Sequence, residues 1–311
     1  MLKRWFGSMG ALVMLAVLPQ AASAGALTLS NTYALGAALS ASSSNFHPQG
    51  MGFDEAANEL IFAQQSGNSI VRTNLTGTVL GTRTIGAIPF TGSSTAGTAN
   101  HVVSVAADAG NYYFSDYTSN SGGRDLYKLG KTTGAATAVG NETAAYGGYP
   151  IDVRAGQLYR TEATTGYTNN TLHNIRVSST ATPDTITKTL NLAGAGIADF
   201  AVDTSHNSIW VLDYLASASI RRFDLDTGSL LETFGLGLEG LDAGLTYGNG
   251  QLFYYDWRSG SGSSLKVFDI SGIASTAPGA LPEPGALALL AVALSAMLVA
   301  GRRRSRDARS L

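Results

Sequence analysis

The sequence predicts an all-β chain closed into a five-bladed β-propeller. Three observations carry this expectation. Five segments of one character recur along the body: Leu60–Gln64, Tyr112–Asp116, Leu158–Glu162, Ile209–Asp213 and Leu252–Asp256, each an aromatic or aliphatic run ending in a polar, mostly acidic residue. Their final residues lie 52, 46, 51 and 43 positions apart, close to the roughly 40–50 residues of a propeller blade. Each segment sits in the same order of short strands and turns, and no stretch of the body sustains a helical period.

A short first strand opens each unit, as in Gly50–Asp54 and Asp199–Asp203. An Asn- or Gly-rich turn follows, as at Ala57-Asn58 and Gly248-Asn249-Gly250, and then the aromatic strand. A Ser/Gly/Asn loop leads to a third strand: Ile70–Arg72, Leu126–Lys128, Ile175–Val177, Ile220–Phe223 and Leu265–Phe268. A Thr/Gly turn such as Thr227-Gly228 leads to a fourth. The apolar runs are short, rich in β-branched and aromatic residues and bounded by turn residues, which is the signature of strands. Four strands per unit and five units make a propeller. A β-sandwich is the alternative that the same short strands allow, and a sixth blade stays open if one unit is more divergent.

The units resemble the NHL and lactonase-like (YVTN) propeller repeats. The resemblance is clearest in Ala201-Val202-Asp203, Ser208–Val211 and Ser219–Asp224, and weakest in the third unit, where Arg160 interrupts the strand. The fifth unit lacks a fourth strand, because only a Gly/Ser/Ala/Pro segment follows Ile270. Residues Leu27–Leu35 form an orphan strand before the first unit. The economical expectation is that this strand completes the fifth blade, closing the ring and removing an open edge.

The two ends carry targeting signals. Lys3 and Arg4, the apolar Met9–Leu18 and the small residues Ala22-Ser23-Ala24 follow the order of a secretory signal peptide, with cleavage expected after Ala24. At the other end, Pro282-Glu283-Pro284 precedes 17 uncharged residues, Gly285–Gly301, and then Arg302, Arg303 and Arg304. As a helix the uncharged stretch would span about 25 Å, enough for a short membrane crossing. The arginines act as a stop-transfer signal and predict a cytoplasmic C-terminus. The expected organisation is a signal peptide (1–24), a propeller (25–272), a linker with the Pro-Glu-Pro motif (273–284), a transmembrane helix (285–301) and a basic tail (302–311).

That tripartite tail resembles the PEP-CTERM sorting signal of exported proteins in Gram-negative bacteria. The resemblance implies an exosortase, a membrane-embedded cysteine transpeptidase, as processing partner, with the motif as its recognition site. It also implies an association with exopolysaccharide and biofilm. The chain would be anchored in the inner membrane facing the periplasm, then processed to the cell surface or the extracellular space. A Gram-positive sortase would require Thr where this chain has Pro284.

Composition narrows the function. The chain has no Cys, which excludes a disulfide framework, a zinc ribbon and a cysteine nucleophile. Its net charge of −2 conceals an exported portion, residues 25–284, with 13 Lys and Arg against 21 Asp and Glu, a net of −8. Such a surface argues against nucleic acid and anionic lipid as partners. Polysaccharide or another envelope protein is the expected ligand class. Phosphate-loop, Gly-x-Ser-x-Gly and His-Glu-x-x-His motifs are absent, no catalytic residue, cofactor or metal site is assigned, and a non-catalytic binding role leads.

Candidate ligand contacts lie at one rim: Asp116, Glu162, Asp213 and Asp256, with Gln64 in the remaining unit. The competing explanation is that each caps its own blade by accepting backbone N–H groups. Trp257 follows Asp256, where an exposed ring would stack on a sugar, whereas Trp210 lies mid-strand and reads as core. His47 and His101 each stand seven residues before an Asp ending a first strand, so loops on one face would bring two imidazoles near a carboxylate. A metal-dependent hydrolase or lactonase built on the propeller is the alternative function.

Overall fold

The computed structural model describes residues 27–36, 39, 50–64, 69–86, 101–117, 124–142, 150–162, 174–213, 219–235, 243–256 and 263–276. The expected signal peptide, the Pro-Glu-Pro motif, the 285–301 stretch and the basic tail lie outside these residues. Among the described residues no helix is long and apolar enough to cross a membrane.

Among the described residues, twenty strands form five four-stranded antiparallel sheets. Strand β1 (Thr28–Ala34) precedes the first blade, which comprises β2 (Met51–Asp54), β3 (Glu59–Gln64), β4 (Ser69–Thr73) and β5 (Val79–Thr84). The second contains β6 (His101–Ala107), β7 (Asn111–Tyr117), β8 (Arg124–Gly130) and β9 (Thr137–Glu142). The third contains β10 (Ile151–Arg154), β11 (Gln157–Glu162), β12 (Asn174–Ser179) and β13 (Thr182–Asn191). The fourth contains β14 (Ile197–Asp203), β15 (Ser208–Asp213), β16 (Ser219–Asp224) and β17 (Leu230–Phe234). The fifth contains β18 (Ala243–Gly248), β19 (Gln251–Asp256) and β20 (Ser264–Asp269). The expected five-bladed propeller is observed.

The fifth blade is completed by β1, which pairs antiparallel with β20 from Thr28↔Asp269 to Ala34↔Ser264. Closure thus joins the strand that precedes blade one to the last strand of blade five. Five hydrophobic clusters follow one another around the ring, each shared by two neighbouring blades. Phe62 of blade one meets Tyr255 of blade five edge-on with ring centroids 5.5 Å apart, and Phe53 stacks parallel to Phe253 at 6.4 Å. The closing interface is therefore as aromatic as the internal ones.

This face-to-face stacking explains the sequence pattern. A middle strand is covered by a blade on each side, so β15 is buried at every position and reads as a continuous apolar run instead of alternating. Trp210 at its centre is wholly buried, as expected. Outer strands lose this cover: β5 is mostly exposed and β1 almost entirely so. Strand β1 is held by its backbone ladder and by Leu27 and Leu35 at its two ends, both buried.

The hairpins between first and second strands use left-handed residues, as the Asn/Gly signals predict. Asn58, Asn207 and Asn249 have φ of 56°, 50° and 50°. Asn tolerates this region because its side chain can bond locally. Ala155 adopts φ 48° without that help.

Candidate functional site

First strands line the axis. Each runs from the face carrying the blade-to-blade connections toward the face carrying the tight hairpins, here termed the base. The last ladder positions before the hairpins are Asp54, Arg154, Asp203 and Gly248, with Asp108 at the matching place in blade two.

Arg154 departs from this Asp-rich set, and it closes the axis. Its side chain is 2% exposed. Nε donates to the Val202 carbonyl at 3.2 Å, Nη1 to the Phe53 carbonyl at 3.5 Å, and Nη2 to the Tyr247 carbonyl. Those three carbonyls stand at equivalent positions of blades four, one and five. A guanidinium suits this role because its donors fan out in one plane. Glu55 and Asp152 lie 3.3 and 3.6 Å from it and balance its charge.

Nearer the opposite face, side chains stitch blade to blade. Ser104 Oγ accepts the Ile151 N–H at 3.0 Å. Asp152 accepts the N–H groups of Val153 and Val202, both at 2.8 Å. Asp199, which aligns with Ser104, accepts from Phe200 at 2.9 Å and from Leu245 at 2.7 Å, and also from Met51. Burial pushes the Asp199 carboxyl well above the usual range, outweighing the three N–H donors that favour its anion. Burial also raises Asp152, against the opposing pull of Arg154.

Glycines bring blade one close enough for these contacts. A Cβ on Gly52 would stand 2.4 Å from the Val105 carbonyl oxygen, and one on Gly50 would stand 2.6 Å from the Ser104 Cα. The axial polar groups are therefore spent on the backbones of neighbouring blades. This is scaffold chemistry.

The base hairpins are capped by their aspartates. Asp108 accepts from the backbones of Gly110 and Asn111 and from the Tyr113 hydroxyl at 2.8 Å. Asp203 Oδ1 accepts from the backbones of Ser205 and His206 and from Ser205 Oγ. Its Oδ2 lies 2.7 Å from His206 Nδ1 and accepts from Trp210 Nε1 at 3.3 Å. Ser205, His206 and Asp203 resemble a nucleophilic triad in composition only. Ser205 Oγ meets the same Nδ1 that meets Asp203, at 3.1 Å, so the imidazole does not bridge serine and carboxylate through its two nitrogens.

The rim residues expected from sequence lie at the ends of second strands, on the face opposite the base. Asp213 is fully buried, accepting the Gly196 N–H at 3.0 Å and Arg221 Nη1 at 2.7 Å. Asp256, also buried, pairs with Lys266 Nζ at 2.6 Å. Both cations come from the third strand of the same blade. Asp116 and Glu162 occupy the same strand ends in blades two and three. Their side chains, that of Gln64, and all of Trp257 lie outside the described residues, as do Ala24, Pro282, Glu283, Pro284 and Arg302–Arg304. His101 opens strand β6 instead of lying in a loop, while His47 is outside the described residues.

The site thus defines a closed, five-bladed propeller with a charged, packed axis. No protein-family model matches the chain, and no curated protein is similar to it. Among solved structures it is similar to the glutaminyl cyclase of Myxococcus xanthus, at 12% identity and a TM-score of 0.48 over 78% of this chain and 96% of that one. It is similar also to the PQQ-bound aldose sugar dehydrogenase of Streptomyces coelicolor, at 12% identity and 0.46 over 78% and 98%. A chain of a nidogen–laminin complex aligns at 17% identity and 0.42 over 67% and 71%. Likenesses this distant carry no argument about chemistry, and the fold rests on the strand order and pairing.

Proposed function

We propose that the protein is an exported, non-catalytic ligand-binding propeller, sorted through its C-terminal tail by an exosortase to the cell surface or the extracellular matrix and linked to exopolysaccharide. The observation that carries this reading is the order of the tail: Pro282-Glu283-Pro284, 17 uncharged residues, then three arginines. The prolines favour extended geometry, which a protease-like site requires of its peptide. The uncharged stretch holds the motif at the bilayer, and the arginines keep the tail cytoplasmic.

The axis supports the non-catalytic part. Arg154, Asp152 and Asp199 bind backbone groups of neighbouring blades, so the charge there serves closure. Ligand contact then belongs to the rim bearing the second-strand ends, where the sequence sets Trp257 directly after Asp256 as a candidate for stacking on a sugar.

Fractionation in a host encoding an exosortase tests the assignment. Replacing Pro282, Glu283 and Pro284 by Ala should leave an uncut chain in the inner membrane, whereas deleting 285–311 should release soluble propeller to the periplasm. A triple-Ala protein processed and located like the wild type would overturn it. Glycan-array binding by the released propeller tests the ligand class.

A further inference from the structure

Both ends of the propeller emerge on the base, and the C-terminal end is strapped to it. Strand β1 starts at the base, since Thr28 pairs with Asp269 at the base end of β20. Only residues 25–27 separate it from the expected signal cleavage after Ala24.

After β20 the chain crosses the base toward blade four. Ile270 and Ile273 are buried in the cluster that also holds Leu27 and Tyr247. Arg222 Nη2 donates to the Ala274 carbonyl at 2.5 Å. The guanidinium is itself fixed by Ser208 Oγ at 2.8 Å and Glu232 at 3.3 Å. Ser275 Oγ donates to the Ser205 carbonyl at 3.2 Å, the Thr276 N–H to the His206 carbonyl at 3.3 Å, and Thr276 Oγ1 to Asp224 at 3.2 Å. The sequence places the linker boundary at residue 273, yet these contacts continue through Thr276.

We infer that before processing the propeller is held base-down on the membrane, with the strap 270–276 fixing that orientation and the second-strand rim directed outward. This rests on the proposed reading of the tail as a membrane anchor. Nine Cα steps separate Thr276 from Gly285, which limits the reach to about 30 Å. Because the tether leaves from blade four's base hairpin, every conformation keeps that attachment point within this reach, while the rim lies about 20 Å farther along the propeller axis, so the base is on average the nearer face. Exposed Glu55 and Asp226 on the base hairpins disfavour direct adhesion to anionic lipid, so the tether and not adsorption sets the orientation. The partner of the base is thus the bilayer surface and the processing enzyme in it, while the rim stays open to soluble ligand.

The absence of Cys allows single labels to be placed uniquely. The chain from Gly25 to Leu311, carrying Ala181→Cys at a base turn or Thr84→Cys at the rim end of β5, would be labelled with a donor fluorophore. It would then be reconstituted in phosphatidylcholine vesicles containing an acceptor lipid. Strands of about six residues separate these positions by about 20 Å. At equal acceptor density, transfer from the base label should exceed that from the rim label at least twofold. Adding Ile273→Gly and Thr276→Gly should shrink this difference. Equal transfer from the two labels, or stronger transfer from the rim, would overturn the inference while leaving the anchor intact. Failure of the chain to float with vesicles would overturn the anchor reading, and the inference with it.

Discussion

Removing the axial arginine offers the sharpest test of how the ring is held. Arg154→Met keeps the length and apolar stem but deletes three charge-assisted bonds to the carbonyls of Val202, Phe53 and Tyr247. It also leaves Asp152, 3% exposed, without its cation. Hydrogen bonds to charged groups contribute about 1.5–3 kcal/mol each, but these three share one side chain and one desolvation cost. The better guide is the cost of breaking a buried pair from one side, about 3–5 kcal/mol. That is a third or more of the stability of many domains, which is roughly 5–15 kcal/mol. The deficit should depend on pH. Burial already raises the Asp152 carboxyl against the pull of Arg154, and losing that cation raises it further. The folded variant then binds an extra proton that the unfolded chain releases above about pH 4, so its deficit should be larger at pH 7 than at pH 5. Adding Asp152→Asn should recover at least about 1 kcal/mol, since the pair is coupled. Urea unfolding of residues 25–276 at both pH values measures all of this. A loss below about 1 kcal/mol for Arg154→Met, with no difference between pH 5 and pH 7, would refute the axial role.

Deleting residues 25–36 should destabilise the whole ring, because burial of Leu27 and Leu35 alone contributes about 3–6 kcal/mol; an unchanged melting temperature and solubility would contradict closure by β1. Burial holds the Asp199 carboxyl well above the ordinary carboxylate range, so stability should fall as pH rises above that range, and Asp199→Ser, imitating Ser104, should flatten this slope in urea unfolding followed against pH. The lowered carboxyls Asp108 and Asp224 act below that range, losing their stabilisation only as pH falls beneath about 4. Gly52→Ala should cost about 1–3 kcal/mol, since its methyl would meet the Val105 carbonyl oxygen at 2.4 Å. Gly81→Ala, whose nearest neighbour is 3.9 Å away, should change stability by less than about 0.5 kcal/mol, as chemical denaturation of the two variants would show.

The blades were legible because a middle strand buried on both faces must be apolar throughout, and such runs stand out as Tyr112–Phe114 or Ile209–Leu212. Closure was legible from a deficit, a fifth unit without a fourth strand beside an orphan Leu27–Leu35. The axis was not, because a lone arginine at a strand end reads as a solvated turn. Aligning the units would have exposed it, since Arg154 stands where neighbouring units place Asp54, Asp108 and Asp203. Asp199 was hidden similarly, its counterpart in blade two being Ser104. The strap reads as linker in the sequence because Gly, Ser and Ala surround its few anchoring side chains, the buried Ile270 and Ile273 and the hydrogen-bonded Ser275 and Thr276. Among the rim residues, the sequence does not distinguish Asp213 and Asp256, because their partners Arg221 and Lys266 are brought beside them only by the register of β15 with β16 and of β19 with β20.

The most direct measurement is the intact mass, with sequencing of both ends, of the protein recovered from the outside of an exosortase-encoding host. The account predicts a chain beginning at Gly25 and ending near Pro282–Pro284, lacking Gly285–Leu311. A full-length chain from Met1 to Leu311, or an external chain retaining Arg302–Arg304, would contradict it.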